Sequence, residues 1–231
     1  MNFENKLISG QFIKRYKRFF VDAKVNGKII TAHCPNTGSM YGLLKKNNKV
    51  WLTKSNNPNR KLKYTLQIIQ DKKTKVGVNT HLTNKIVLEA LQNNLIKEFD
   101  KKIKIKPETK FGTNTRFDFF IVKDQFRAFI EVKNVTLSRK KGIAEFPDAI
   151  TSRGLKHIKE LIKANKKGYK IYILYLIQRN DCKFFKIADD IDPEYSDSLS
   201  KAVKKKLNVL CFDCKFLPKG IKLNKKVKFK I

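Results

Sequence analysis

The hydrophobic residues of this chain change their spacing near Thr80, and this change constrains the fold most strongly. Before it, apolar and polar residues alternate in FFVDAKV and KIITAHC, which indicates strands with one buried face. After it, apolar residues recur every three to four positions in KIVLEALQNNLIKEF, which indicates an amphipathic helix. The sequence therefore predicts a β domain over residues 1–80 and a mixed α/β domain over residues 81–231.

Short strands and polar turns fill the first part. Asn26-Gly27 joins two alternating stretches, the sequence form of a hairpin closed by a type I′ turn. VWLTK and KLKYTLQII form a second pair around SNNPNR, and the pattern predicts a small closed barrel of the OB type. Between the pairs lies PNTGSM, residues 35–40, which either offers backbone N–H groups to a phosphate or is only a tight turn.

Helices and strands mix in the second part. Asn84 is expected to cap a helix that runs to Phe99, and RFDFFIV and FRAFIEVKNV are expected to be strands. A second helix is expected from about Thr151 to Gly168, followed by KIYILYLI as a central strand that is covered on both faces. The Lys-rich end, NKKVKFKI, is either a solvated tail or a last edge strand. The predicted fold class is mixed α+β.

Positive charge dominates the composition. The chain has 52 Lys and Arg against 20 Asp and Glu, a net charge of +32, which favours a polyanionic partner, with nucleic acid first and solvated surface charge as the alternative. The interleaving of cations with an aromatic ring in Arg15, Tyr16, Lys17 and Arg18 is typical of a nucleic-acid groove, although strand residues of any basic protein look similar.

The location of the protein is predicted from its apolar runs and its cysteines. The longest apolar run, Ile171 to Ile177, is too short to span a bilayer, and we expect a cytoplasmic protein without membrane contact. Four cysteines suit a reducing compartment. Cys211 and Cys214 form a C-x-x-C without a second pair, so we expect packed thiols and no zinc.

Two carboxylates fall on the predicted hairpin of the second domain. A two-residue Asp124-Gln125 loop places Asp118 directly opposite Glu131, with Cβ atoms about 5 Å apart, where like charges repel. A divalent cation such as Mg²⁺, bound by two carboxylates, water and phosphate oxygens, would neutralise them. Lys133 lies on the same side as Glu131. The alternative is an ordinary cluster of charges on a solvated sheet face.

Eight motifs in order resemble one known family along nearly the whole chain. They are RYKRFFVDAKV, HCPNTGSM, NPNRKLKYT, VGVNT, RFDFF, FIEVKNVTL, AEFPDAITSRGLKHIKEL and IQRND. Together they resemble the sugar fermentation stimulation protein A family, from about Arg15 to Cys214. Departures are modest: Thr115 stands where the family more often has Ser, and the C-terminal end is unusually basic.

The resemblance implies an OB-like barrel followed by a domain of the PD-(D/E)xK restriction-endonuclease type, together with DNA binding. The excess of Lys and Arg predicts that this binding is non-specific and salt-dependent, and an OB-like barrel makes RNA a further candidate. It places the catalytic motif on Asp118, Glu131 and Lys133, with Asp118, Glu131 and Glu89 as ligands of Mg²⁺ or Mn²⁺. The family name reflects a genetic link to maltose and other sugars.

Five residues become candidate phosphate contacts in a fold of this kind, with a solvated surface as the alternative for each. They are Arg153, Lys156 and His157 on the second helix, and Gln178 and Arg179 after the central strand.

The predicted function is that of a DNA-binding protein with metal-dependent nuclease activity. The alternatives are a non-enzymatic DNA-binding regulator of sugar catabolism genes and an RNA-binding barrel. No helix-turn-helix pattern supports operator recognition.

Overall fold

We describe the fold from a computed structural model, which covers residues 1–99, 102–113 and 115–230. The helices are α1 (Thr83–Gln92), α2 (Ser152–Lys166) and α3 (Pro193–Lys204). The strands are β1 (Leu7–Tyr16), β2 (Phe20–Val25), β3 (Lys28–His33), β4 (Lys49–Lys54), β5 (Tyr64–Asp71), β6 (Thr74–Gly77), β7 (Lys104–Phe111), β8 (Thr115–Lys123), β9 (Phe126–Val135), β10 (Ile143–Phe146), β11 (Lys170–Ile177), β12 (Phe184–Ile187), β13 (Leu207–Leu217), β14 (Gly220–Lys226) and β15 (Lys228–Lys230).

The first six strands form a barrel. They follow the order β3-β2-β1-β4-β5-β6, and a parallel pairing of Ala32 in β3 with Tyr64 in β5 closes the sheet on itself. The β2–β3 turn has φ of 48° at Asn26 and 79° at Gly27, as the type I′ prediction requires. Inward-facing residues of several strands, such as Phe12, fill the interior. The predicted barrel is confirmed.

A second six-stranded sheet follows, in the order β14-β13-β11-β9-β8-β7. Its central strand, β11, runs parallel to both β9 and β13. The core on one face includes residues of α1, and the core on the other face includes residues of α2 and α3. Leu174 and Tyr175, neighbours in β11, lie in different cores and are both fully buried, which explains why the strand is apolar throughout. The mixed α+β prediction is confirmed.

A small parallel sheet completes the fold. It has the order β10-β12-β15 and packs beside α3. The described part of the Lys-rich C-terminal segment therefore forms the end of β14 and the edge strand β15, rather than a solvated tail, and Ile231 lies outside the described residues.

The first helix is shorter than predicted. It ends at Gln92 instead of continuing to Phe99, and Leu95, expected in its buried stripe, is 47% exposed. Asn94 adopts a φ of 54°, a left-handed conformation that Asn tolerates and that stops a helix. Asn84 does not cap the helix, since it lies within the first turn and uses its amide elsewhere.

The barrel and the α+β domain are joined by backbone and side-chain contacts. Gly77 N–H donates to the carbonyl of Gln178 (2.8 Å). A Cβ at Gly77 would lie 2.2 Å from Gln178 Oε1, so any larger residue would require the buried Gln178 side chain to move. The first residues of the chain lie with the second domain, because Phe3 N–H donates to the carbonyl of Lys219. The predicted range of 1–80 for the barrel therefore included residues that contact β14.

Among the described residues, no helix is both long and apolar enough to cross a membrane.

Candidate active site

The β8–β9 hairpin positions the carboxylates. Phe119 pairs with Ile130, and Lys123 pairs with Phe126 across the two-residue turn at Asp124. This is the register that the sequence predicted, and it brings the start of β8 beside the middle of β9. Regular pairing between β8 and β9 ends at Phe119, and Asp118, which precedes Phe119 in the sequence, lies just beyond the paired residues.

Asp118 turns its carboxylate towards the neighbouring strand and α1. Oδ2 accepts a hydrogen bond from Val132 N–H (2.7 Å), and Oδ1 accepts one from Asn84 Nδ2 (2.8 Å). Burial and the nearby charge of Glu131 raise the pKa of Asp118 to about 6, although these two hydrogen bonds and Lys133 act in the opposite direction. The carboxyl group is fixed in orientation, and its pKa shows that the isolated negative charge is unfavourable at this position.

Glu131 lies deeper, with 3% of its surface exposed. Its Oε1 accepts a hydrogen bond from Lys133 Nζ (2.7 Å) and contacts His157 Nδ1. Burial alone would raise the pKa of Glu131, but Lys133 and His157 hold that pKa below its usual value. The predicted alternative of a cluster on a solvated sheet face is wrong for Glu131, because α2 covers this part of the sheet.

One oxygen of this carboxylate has no partner. Glu131 Oε2 is buried and makes no hydrogen bond within the described residues. A buried carboxylate oxygen without a donor is costly, and a bound cation is one of the arrangements that satisfies it.

The residues present fit a divalent cation. Asp118 and Glu131 offer carboxylate oxygens, which Mg²⁺, Mn²⁺ and Ca²⁺ prefer, and Glu131 Oε2 has unused lone pairs. Within the described ranges, no group of three or more His, Cys, Asp and Glu side chains gathers into a metal cluster. Two carboxylates are enough for Mg²⁺, which usually keeps several waters and binds substrate phosphate.

Glu89, predicted as a third ligand, lies elsewhere. Its Oε2 is 2.5 Å from the amino group of Met1, and the side chain is one-third exposed. Asn84, five residues earlier in α1, is the residue that reaches Asp118. The turn of α1 that faces Asp118 therefore carries an amide rather than the predicted carboxylate.

His157 and Asn84 are the site residues whose roles the sequence did not reveal. His157 was predicted to contact phosphate from a polar helix face, but it is buried and holds Glu131. Its Nδ1 must carry the hydrogen, since a carboxylate only accepts. A usable signal was its spacing, because His157 lies three residues after Gly154 and four residues before Leu161, both of which are buried on α2.

A network of amides adjoins Lys133. Gln178 Nε2 donates to Asn134 Oδ1 (2.5 Å) and lies 3.3 Å from Thr83 Oγ1. Gln178, predicted as a phosphate contact, is fully buried in this structure.

Arg179 is also buried rather than available to a ligand. It is 3% exposed and donates to Asp181 (2.7 Å), to Asp71 of the barrel (2.9 Å) and to the carbonyl of Thr136 (3.1 Å). In this structure Arg179, predicted as a phosphate contact, instead joins the two domains.

The residues predicted to line a nucleic-acid groove, at positions 15–18, fall into two groups. Arg15 donates to the carbonyls of Asn36 (2.6 Å) and Gly38 (2.9 Å), so it holds the PNTGSM loop. Tyr16, Lys17 and Arg18 are exposed at the β1–β2 turn, where Tyr16 stacks on Phe20. Arg153 and Lys156 are exposed on α2.

The PNTGSM loop donates hydrogen bonds to a carboxylate of the same chain. Asp148 Oδ2 accepts from Ser39 Oγ and from Met40 N–H, both at 3.2 Å. Gly38 N–H donates to Asn36 Oδ1 (2.8 Å). These donors are therefore engaged internally, which favours the tight-turn interpretation of the loop.

The C-x-x-C residues lie on opposite sides of the sheet. Cys211 belongs to the core beside α2 and α3, and Cys214 belongs to the core beside α1. Both thiols are buried.

Comparison with protein families covers both domains. A model described as the sugar fermentation stimulation protein RE domain matches residues 81–220, and one described as the SfsA N-terminal OB domain matches residues 13–78. The chain belongs to the sugar fermentation stimulation protein family. The predicted resemblance and the OB assignment of the barrel are thereby confirmed.

Relatives in this family match over nearly their full length. The sugar fermentation stimulation protein homolog of Pelagibacter ubique is 54% identical over 228 residues, which cover 99% of this chain and 98% of the relative. The homolog of Bartonella henselae is 42% identical over 96% of this chain and 95% of its own.

A solved structure of the family has the same fold. It is described as the structure of Pyrococcus furiosus SfsA in complex with Ca²⁺, and it superposes with a TM-score of 0.90 at 24% identity, covering 100% of this chain and 98% of the other.

Proposed function

We propose that this member of the sugar fermentation stimulation protein family is a divalent-metal-dependent phosphodiesterase that acts on DNA. The observation that carries the proposal is the buried, unpartnered Glu131 Oε2, on a carboxylate whose other oxygen is held by Lys133 and His157. The Asp118, Glu131 and Lys133 set also matches the PD-(D/E)xK pattern. The Ca²⁺ described for the Pyrococcus furiosus relative supports the binding of a divalent metal ion by this chain.

Each side chain has a defined task in this proposal. When bound, a divalent cation polarises the scissile phosphate and lowers the pKa of a bound water. Val132 N–H and Asn84 orient Asp118, and His157 fixes Glu131 so that Oε2 stays free. Lys133 keeps its ammonium beside the carboxylate, where it can orient the attacking water or stabilise charge on the phosphate. His157 is thus a positioning residue.

A cleavage assay tests the proposal. Wild-type protein is incubated with single-stranded, duplex, flapped and branched DNA and with RNA, in the presence of Mg²⁺, Mn²⁺ or EDTA. We expect cleavage of at least one DNA that requires a metal. Complete absence of cleavage on every substrate with either metal would instead support the non-enzymatic regulator.

The pKa of Asp118 predicts how metal binding depends on pH. The folded pKa of about 6 lies above the ordinary value of 3.8, so Asp118 stabilises the metal-free fold most below about pH 4 and loses this contribution as the pH rises through 6. The metal requires the ionised form. We therefore expect Mn²⁺ affinity to fall about tenfold per pH unit below pH 6, measured by titration calorimetry. A pH-independent affinity between pH 5 and pH 7, roughly one unit either side of that pKa, would contradict the assignment of Asp118 as a ligand.

DNA binding is expected to depend steeply on salt. The net charge of +32 and the exposed Lys17 and Arg18 favour phosphate contacts, each of which contributes about −0.9 to the log–log slope on duplex DNA. Replacing both residues by Ala should make the slope shallower by about 1.8 if each contacts one phosphate. Replacing the exposed Lys222 and Lys225 of β14 serves as the control for charge alone. An unchanged slope in the first variant would exclude the β1–β2 turn from the interface.

A further inference from the structure

A cavity outside the candidate active site lies between β12, α3 and β15. Its volume is about 480 Å³, and its walls include the apolar side chains of Ile187, Leu199, Val203 and Phe229. None of the residues around Glu131 lines it. The cavity is large enough for one or two bulky side chains of a partner, and the proposed nuclease chemistry does not use it.

Cations surround this apolar floor. Lys186, Lys204 and Lys230 line the cavity, and Asp189 is the one acidic residue among the lining residues. Lys186 Nζ lies 3.4 Å from Glu145 Oε1 and is partly neutralised. Lys204 and Lys230 are exposed and make no ion pair with a carboxylate of the described residues. A ligand of this cavity must therefore be apolar at its centre and acidic at its margins.

The neighbouring backbone favours a peptide as that ligand. Within the described part of the chain, β15 pairs with β12 on one side only and is the edge of its sheet. An edge strand offers N–H and C=O groups to an extended segment of another chain. A nucleic acid fits the floor less well, because most of it is aliphatic and Phe229 already packs against Phe185 (centroids 5.8 Å apart).

We propose that this cavity is a docking site for an extended acidic peptide segment of a partner protein, with a bulky apolar side chain inserted between α3 and β15. Aspartates or glutamates on either side of that side chain pair with Lys204 and Lys230. The binding energy comes from burying the apolar anchor, and the lysines provide orientation and a faster association. The site is independent of cleavage and leaves the active site open while a partner is bound.

Fluorescence anisotropy with two labelled peptides tests the proposal at about 0.15 M salt. One peptide is Glu-Asp-Ile-Phe-Glu-Asp, and the other replaces Ile-Phe by Ser-Ser at the same charge. Because the protein is strongly basic, both peptides will be attracted, so the difference between them is the decisive quantity. We expect the apolar peptide to bind at least about tenfold more tightly.

Matched variants separate docking from general attraction. Lys204→Glu with Lys230→Glu should weaken binding of the apolar peptide about tenfold, whereas Lys205→Glu with Lys222→Glu, an equal change of net charge outside the cavity, should change it less than about twofold. Val203→Lys adds a cation to the cavity wall. Charge attraction alone predicts tighter binding for this variant, whereas docking predicts weaker binding. Circular dichroism confirms folding of each variant.

Three outcomes would overturn the proposal. The first is equal affinity for the two peptides. The second is equal weakening by the two charge reversals. The third is binding of laurate in the cavity without binding of the apolar peptide, which would identify a fatty-acid site. Glu131→Gln should leave peptide affinity unchanged, so this result stands whether or not the protein cleaves DNA.

Discussion

Asp118→Asn and Glu131→Gln should each reduce metal-dependent DNA cleavage by more than about a hundredfold while DNA binding stays equal or becomes tighter. Loss of an outer hydrogen-bond partner of a metal ligand alone typically costs 10- to 100-fold, so loss of a ligand should cost more. Both substitutions keep the size of the side chain and remove a negative charge from a site that faces phosphate. Initial cleavage rates at saturating Mn²⁺, together with anisotropy for DNA affinity, give the two quantities.

Glu89→Gln is the matched control. Glu89 is an acidic residue of the same domain, but its carboxylate pairs with the amino group of Met1. Cleavage by this variant should remain within about twofold of the wild type, as for a surface substitution. A loss as large as that of Glu131→Gln would restore Glu89 as a ligand and would contradict the site described above.

Arg179→Ala should lower the free energy of unfolding by about 3 kcal/mol. The guanidinium is 3% exposed and balances Asp71 and Asp181, and its removal takes a charged donor from both carboxylates and from the carbonyl of Thr136. Breaking a buried ion pair typically costs 3–5 kcal/mol, and the partial exposure of Asp181 favours the lower end. Urea denaturation measures the change.

Arg153→Ala is the control for this prediction, because Arg153 is exposed on α2. It should change the free energy of unfolding by less than about 0.5 kcal/mol. If Arg179→Ala kept its stability and lost DNA affinity instead, Arg179 would be a phosphate contact as the sequence suggested, and its assignment to the domain junction would fail.

Local rules predicted the elements whose signals lie within a few residues. Asn26-Gly27 specifies its turn because both residues tolerate positive φ. The register of β8 and β9 follows from the two-residue loop, and Thr151 caps α2 through its hydroxyl, which accepts from Gly154 N–H (3.1 Å). The hairpin register was therefore predictable, whereas the orientation of the Asp118 carboxylate, which lies just beyond the regular pairing, was not.

The errors concern contacts between distant segments. Gln178 and Arg179 follow a strand, where polar residues often meet solvent, but here the barrel covers them through Gly77 and Asp71. Sequence spacing carries no information on which domain packs over a strand end. Asn84 similarly lies at a position typical of a helix N-cap. Its hydrogen bond to Asp118 depends on the packing of α1 on the sheet, which the local sequence does not reveal.

The C-terminal region gave few local signals. The sequence indicated no helix at α3 and no strands at β13 and β14, although β13 lies beside the central strand. The C-x-x-C spacing suggested that the thiols of Cys211 and Cys214 pack together. A strand, however, places residues three apart on opposite faces, and the two thiols lie in different cores.

Crystals of the protein soaked in Mn²⁺, with anomalous diffraction recorded at the manganese edge, test the metal site most directly. We expect one strong anomalous peak about 2.1 Å from an oxygen of Asp118 and from Glu131 Oε2, and no peak there in Glu131→Gln. A manganese ion bound elsewhere, with Glu131 Oε2 still uncoordinated in protein that cleaves DNA, would contradict this expectation.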